Sequence, residues 1–281
     1  MDTIGLLYYP ERDDSRLWAE RTHAWLKAAG VTVWLGDIDD EEALRAAAPG
    51  LDLVMTFGGD GTIVRCVRTV AHHGLPILGV NLGRLGFLAE VEPEQLEDRL
   101  PLMLEGHYHV ESRMMLCAEL HRGPRVLLKA EAINDVVLAR GLVSRMVHVA
   151  VNVDGHHAIT VDSDGILIAT PTGSTAYNLA AGGPIVGPDM SAMIITPISA
   201  HLSFVNALVV PPAREVVLRL ERGDGAMFTV DGQIDMALRP ADWVSCKASK
   251  NTARFVRFGD DGYFYESALR RLGWQERPTN G

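Results

Sequence analysis

Leu51-Asp52-Leu53-Val54-Met55-Thr56-Phe57-Gly58-Gly59-Asp60-Gly61-Thr62-Ile63-Val64-Arg65-Cys66-Val67 is the stretch whose reading decides the fold. Leu51 to Phe57 is a short apolar run that suits a buried strand, and Gly58 to Gly61 reads as a tight loop. From Thr62 to His73 the spacing turns helical. Upstream, Thr3 to Tyr9 and Val31 to Leu35 read as two more strands. Between them, Ser15 to Ala29 places Leu17, Trp18, Trp25 and Leu26 at roughly helical spacing, with Gly30 as the stop. The acidic segment Asp37 to Glu42 leads into an alanine-rich helix. Downstream, Pro76 to Val80 is a fourth strand and Pro93 to Glu105 a further helix. This alternation predicts a Rossmann-like, doubly wound parallel sheet over residues 1–106.

Past Gly106 the texture changes. Glu111 to His121, Arg125 to Ala139, Met146 to Val153 and Ala158 to Thr170 are rich in β-branched and other apolar residues. Gly123-Pro124, Arg140-Gly141 and Asp154-Gly155 separate them as turn signals. Glu215 to Leu220, Met227 to Val230, Trp243 to Ala248 and Arg254 to Phe258 continue the pattern. A β-rich domain over 107–259, built as a sandwich, is expected. Helical spacing returns at Tyr263 to Leu272.

The chain has 281 residues and a formal net charge of −10. Its length favours two domains, and its acidity argues against nucleic acid as a partner. Cys66, Cys117 and Cys246 are far apart, which gives a zinc site no support and suits a reducing compartment. The start, Met1-Asp2-Thr3-Ile4, lacks a basic region before an apolar stretch, and no apolar run approaches the roughly 20 residues a bilayer requires. A soluble, cytoplasmic protein with no membrane partner is expected.

Four motifs carry chemistry. Gly58, Gly59, Gly61 and Thr62 surround Asp60 at a strand-to-helix junction, where glycines allow positive φ and close approach of a phosphate. A carboxylate would repel that phosphate. It makes sense as a proton acceptor from an attacking hydroxyl or as a help in holding Mg²⁺; a Gly-Asp turn that merely connects is the plain alternative. The run from Asp164 through Thr170-Pro171-Thr172-Gly173-Ser174-Thr175-Ala176-Tyr177-Asn178 is dense in hydroxyls, then offers an aromatic face and an amide. These groups suit sugar and amide recognition, and Ser174 or Thr175 also suits a helix cap. Asn134-Asp135 interrupts the apolar run Ala132 to Ala139, either as polar groups needing partners or as a bulge or solvent-facing edge. Asp231-Gly232-Gln233 is a hairpin turn signal.

With Asn81-Leu82-Gly83-Arg84-Leu85-Gly86-Phe87-Leu88 and Gly182-Gly183-Pro184, these motifs resemble the NAD kinase family, in the family's order and over roughly residues 54–233. The first motif is shared with diacylglycerol and sphingosine kinases; the Thr-Pro-Thr-Gly-Ser-Thr-Ala-Tyr run is far more specific. The resemblance implies an α/β first domain, a β-sandwich second domain, and a tail, 260–281, that returns to the first. It implies NAD bound in the cleft between them, and transfer of a phosphoryl group from ATP or another donor to the adenosine-ribose 2′-hydroxyl. A divalent cation, Mg²⁺, a homo-oligomer (dimer or tetramer) and a role in NAD/NADP balance follow from it too. By similarity Asp60 is the proton acceptor, with Gly61 beside the substrate, and Asn134 and Asp135 hold adenosine. Asp164 and Thr175, Ala176, Tyr177, Asn178, Leu179 and Ala180 line the dinucleotide site. Arg145 and Gln233 match further ligand-contacting positions. Asp162 sits where some relatives carry a basic residue, and Asp135 replaces the more usual glutamate. No protein-only metal site is identifiable.

Two other classes compete. A lipid kinase requires an exposed apolar groove that the sequence does not advertise, and a non-catalytic nucleotide sensor has no need of Asp60. A dehydrogenase is disfavoured because the first strand runs into Tyr9-Pro10-Glu11-Arg12 instead of Gly-x-Gly-x-x-Gly.

Overall fold

The computed structural model describes residues 1–83, 86–141, 146–200, 206–259 and 264. The chain divides into two compact units: Met1–Ser112 with the chain from Ala253 on, and Arg113–Thr252. The expected helix from Tyr263 to Leu272 and the expected ligand position Arg145 lie outside the described residues.

Unit 1 is built from β1 (Thr3–Tyr8), α1 (Asp13–Ala28), β2 (Thr32–Asp37), α2 (Glu41–Ala47), β3 (Leu53–Gly58), α3 (Asp60–Val70), β4 (Pro76–Asn81) and α4 (Leu96–Leu104). The strands are parallel in the order β2-β1-β3-β4. The winding direction reverses between β1 and β3, so this unit is doubly wound and its switch point lies where those two strands end. Helix α1 buries Ser15, Ala19, Thr22 and Leu26, a stripe at helical spacing, while Leu17, expected in that stripe, is 49% exposed. Trp18 and Trp25 pack at the margin of the core formed by Ile4, Leu6, Leu53, Met55, Phe57 and Val80. Asp40 caps α2 by accepting the Ala43 N–H at 2.9 Å.

The chain then enters unit 2 along β5 (His109–Arg122), followed by β6 (Arg125–Ala132), β7 (Asp135–Ala139), β8 (Val147–Val153), β9 (His156–Ser163), β10 (Gly165–Ala169), the short α5 (Tyr177–Ala180), β11 (Met193–Ile198), β12 (Leu208–Val210), β13 (Val216–Arg222), β14 (Met227–Val230), β15 (Ile234–Ala237) and β16 (Trp243–Arg257). One antiparallel sheet runs β12-β11-β10-β7-β14-β15, and a second contains β16, β13, β8 and β9, with the β5–β6 hairpin joined through β5 to β16. Alternation along β7 and β10 explains the layering. Val136, Leu138, Ile166 and Ile168 face the inter-sheet core with Val147, Val149, Leu218 and Phe228, while Val137, Leu167 and Ala169 face Ala181 and Val186. Trp243 to Ala248 and Arg254 to Phe258, expected as two strands, form one, because no proline or turn glycine interrupts them. Its final residues return to unit 1, where Arg254 and Phe255 pair in parallel with Pro76 and Ile77. An α/β unit followed by a β-sandwich unit is the expected fold class; the tail expected to return, 260–281, lies outside the described residues apart from 264, and it is the end of β16, expected in the second domain, that joins the first.

Candidate active site

At the end of β3 the expected four-residue loop shrinks to one residue. Gly58 still belongs to the strand, Gly59 is the N-cap, and α3 begins at Asp60, two residues earlier than the periodicity indicated. None of Gly58, Gly59 and Gly61 has positive φ, so the expected conformational role is replaced by a steric one. A Cβ on Gly58 would lie 2.3 Å from Thr62 Oγ1, whereas a Cβ on Gly59 or Gly61 would meet nothing within 4 Å. Gly58 is therefore needed for the turn to close, and the other two leave bare backbone beside Asp60.

Asp60 stands in the first turn of α3, where the helix dipole favours negative charge. Its carboxylate is held from elsewhere: the Phe87 N–H donates to Oδ2 at 2.7 Å and the Leu88 N–H to Oδ1 at 3.1 Å. These amides belong to the chain that leaves β4 and folds back along it. Leu82 N–H donates to Gly58 O at 3.2 Å, Glu90 N–H to Gly79 O at 3.0 Å, and Asn81 N–H to Val91 O at 2.9 Å. Gly86 has no alternative, since a Cβ there would lie 2.1 Å from Asp60 Oδ1. Ser15, fully buried, knits the neighbouring strand ends, accepting the Tyr9 N–H at 2.8 Å and donating to Phe57 O at 2.6 Å. Neither task is legible in the sequence, where Asn81–Leu88 is a motif without an assigned role and Ser15 simply begins a helix.

In unit 2, Asn134-Asp135 is neither a mid-strand pair nor a solvent edge. The run from Ala132 to Ala139 breaks, with β6 ending at Ala132 and β7 beginning at Asp135. The cause is Asp231. Its carboxylate accepts three consecutive main-chain N–H groups, from Ile133 at 2.9 Å, Asn134 at 2.8 Å and Asp135 at 3.0 Å. Asp231 and Gly232 both have positive φ, +51° and +63°, which makes the β14–β15 turn of the type that matches strand twist. The turn signal was legible, the clamp was not.

The Thr170–Gly173 turn closes on the same backbone. Thr170 N–H donates to Asn134 O at 2.9 Å, and its hydroxyl donates to Ile133 O and accepts the Gly173 N–H. A Cβ on Gly173 would lie 2.0 Å from Asn134 O. The Asn134 side chain, thus fixed, has no hydrogen-bond partner among the described residues. A cavity of about 390 Å³ opens in front of it, lined by Asn134, Asp135, Ala176, Tyr177, Thr229 and Asp231 among others. Tyr177 is 45% exposed and offers its ring to this space. Asp135 is buried, and burial, then the charge of Asp231, pushes its carboxyl up to about 7.

Several expected binding groups are spent inside the fold instead. Asn178 is fully buried; its amide donates to Ser174 O and Pro184 O and accepts the Thr196 hydroxyl at 2.7 Å. Gly183 packs against it, where a Cβ would meet the amide at 2.1 Å. Thr175 donates to Thr172 O at 3.1 Å, and Ser174 exchanges bonds with Val186. Neither Ser174 nor Thr175 caps a helix. Asp164 pairs with Arg140 at 2.6 Å, and Asp162 with His148 across β8–β9 at 2.6 Å. Neither lines the cavity, nor do Leu179, Ala180 and Gln233. Among the described residues, no three histidine, cysteine, aspartate or glutamate side chains converge as metal ligands.

Residues 21–108 match the ATP-NAD kinase N-terminal domain and residues 133–258 the ATP-NAD kinase C-terminal domain. The chain is 36% identical over 284 residues to an NAD kinase of Desulforamulus reducens, covering 98% of this chain and 99% of that protein. It is 41% identical over 239 residues to an NAD kinase of Moorella thermoacetica, covering 85% and 75%. Among solved structures, an NAD kinase from Archaeoglobus fulgidus in complex with ATP superimposes with a TM-score of 0.77 at 26% identity, covering 98% of this chain and all of that one. Yeast NADH kinase complexed with NADH shares the fold, with a TM-score of 0.87 at 22% identity over 100% of this chain and 90% of that one.

Proposed function

The chain belongs to the ATP-NAD kinase family, and from that premise we propose how its residues divide the work of converting NAD to NADP. The reaction moves the terminal phosphoryl group of ATP to the 2′-hydroxyl of the adenosine ribose. Such transfers need little covalent help from the protein; positioning and charge carry them. Asp60 accepts the proton from the attacking hydroxyl. The observation that supports this is the amide pair at Phe87 and Leu88, which fixes the carboxylate's rotation and uses one bond on each oxygen. A carboxylate has about four acceptor sites, so positions remain for the incoming hydroxyl.

The unit 2 cavity takes the adenosine. The unpartnered amide of Asn134 offers a donor and an acceptor, Asp135 a carboxyl beside it, and Tyr177 a stacking face. Ala176 lines it, and by similarity Thr175 contacts the dinucleotide and Gly61 lies beside the reacting hydroxyl. Arg145, Asp162, Asp164 and Gln233 are proposed as outer contacts. The role of Asn178, with Leu179 and Ala180, is to hold the turn that presents Tyr177.

A divalent cation, proposed as Mg²⁺, arrives on the triphosphate and offsets its charge. That reading is supported by the net charge of −10, which does nothing to attract polyphosphate. Cytoplasmic residence fits three free cysteines, of which Cys66 and Cys246 are buried and their thiols pushed upward by burial. Assembly as a homo-oligomer is proposed by similarity. No described helix is long and apolar enough to cross a membrane.

The test is a coupled assay with protein, Mg²⁺, ATP and NAD, in which NADP is read by an NADP-specific dehydrogenase. NADP should form, excess EDTA should stop it, and 2′-deoxy-NAD should compete without reacting. Labelled phosphate in an organic extract, with no NADP, would overturn the assignment in favour of a lipid kinase.

A further inference from the structure

One of the two residues whose amides hold Asp60 is itself held. The Leu88 main chain works as a handle: its N–H, in the Phe87–Leu88 peptide, donates to Asp60 Oδ1 at 3.1 Å, and its carbonyl, in the next peptide, accepts from Arg257 Nη1 at 3.0 Å. Arg257 is 7% exposed. Its Nε donates to Glu111 Oε2 at 2.7 Å, and Nη1 also reaches Glu90 Oε2 at 3.1 Å. The other Glu90 oxygen accepts the Phe258 N–H at 2.9 Å. Below the guanidinium lies the Phe255 ring, its centroid 5.2 Å away.

We propose that Arg257 is a positioning residue for phosphoryl transfer, acting through the main chain of Leu88 on the segment whose amides orient Asp60. The inference rests on the reading of Asp60 as the proton acceptor. Arginine suits the task because its planar fork serves three acceptors in fixed directions, here two carboxylates and one main-chain carbonyl. A lysine keeps the charge and loses the fork. A buried ion pair is by itself weak evidence for a stabilising role. What singles out this one is that Nη1 also bonds the carbonyl of Leu88, the residue whose N–H touches Asp60. A misplacement near 1 Å costs on the order of 100-fold in a reaction that depends on alignment.

The test is a double-mutant cycle of Arg257→Lys and Asp60→Asn in the full-length protein, with kcat and both KM values measured. Arg257→Lys alone should lower kcat about 10- to 100-fold and leave KM for NAD and for ATP within about twofold. In the Asp60→Asn background the same change should cost less than about twofold, because no base remains to be aligned. A smaller folded fraction would lower turnover equally in both backgrounds. Equal losses, or no loss from Arg257→Lys, would therefore overturn the inference and leave the role of Asp60 standing. Near-normal turnover of Asp60→Asn would overturn both. If Arg257→Lys does not fold, Glu111→Gln, which loosens the guanidinium and keeps Arg257, is put through the same cycle. A several-fold loss of kcat that vanishes beside Asp60→Asn supports the proposal, and one that persists refutes it.

Discussion

Asp60 in unit 1 and Asp231 in unit 2 both rest on main-chain amides donated by a distant segment, and they differ in what is left over. Asp60 accepts two N–H groups, one on each oxygen. Asp231 accepts three, two of them on Oδ1, in a turn at positive φ. The first carboxylate is oriented and still open, and the second is consumed in shaping backbone. A third, Asp135, takes no side-chain hydrogen bond among the described residues and is forced toward neutrality. One side chain thus performs three tasks, and the number of amides facing it decides which. Aspartates in glycine-rich turns therefore need their donors counted before a role is assigned.

The largest expected effect attacks the open member. Asp60→Asn keeps size and hydrogen bonding and removes the base, so turnover should fall about 10²–10⁴-fold while NAD affinity stays within a few-fold. Steady-state kinetics beside equilibrium binding would show the split, and near-normal turnover would remove Asp60 from the chemistry.

Asp231→Ala should act on folding instead. Three donors lose a charged acceptor, and alanine must adopt positive φ, so a loss of about 3–5 kcal/mol is expected in urea denaturation. Asp231→Asn, which tolerates that conformation, should lose less. A stability change under about 1 kcal/mol for the alanine variant would show that the clamp is ornamental.

Replacing Asn134 and Asp135 together with alanine should raise KM for NAD about tenfold or more, and KM for ATP by less, because the cavity's unpaired polar groups would no longer discriminate the nucleoside. Equal changes for both substrates would separate this cavity from adenosine recognition.

The smallest effect concerns the neutral member. Asp135 has a folded value near 7, above its ordinary 3.8. The stability this contributes is full below the unfolded value and is lost as pH rises through 7. Between pH 6 and pH 8 the wild type should lose about 1.4 kcal/mol relative to Asp135→Asn. Urea midpoints that run parallel over that range would place the carboxyl in ordinary surroundings.

Much of the fold was legible because strand and helix periodicities are local. Leu53–Gly58 announces itself as an apolar run before turn residues, whereas Ala158 to Thr170, expected as one segment, divides into His156–Ser163 and Gly165–Ala169. What the sequence concealed is long-range. Nothing in Asp231-Gly232 says that its carboxylate will break a strand almost a hundred residues upstream. The hydroxyls around Ser174 and the amide of Asn178 look like ligand groups, yet packing against Val186, Pro184 and Thr196 uses them. Gly58 reads as a conformational residue and proves to be a steric one, a distinction that appears only when the facing side chain is placed.

The return of β16 to unit 1 also orders events in time. A chain emerging from the ribosome presents Asp60, Phe87 and Leu88 early, but Arg254, Phe255 and Arg257 only after all of unit 2 has been made. Domains fold as units during synthesis, so the continuous second unit has all its residues while the first still awaits the strand residues that flank Pro76 and Ile77. A nascent chain released before Ala253 would carry every glycine-rich motif of the site and still lack the guanidinium behind Leu88. If Arg257 positions Asp60 as proposed, full competence for phosphoryl transfer comes late in translation, with the residues of β16.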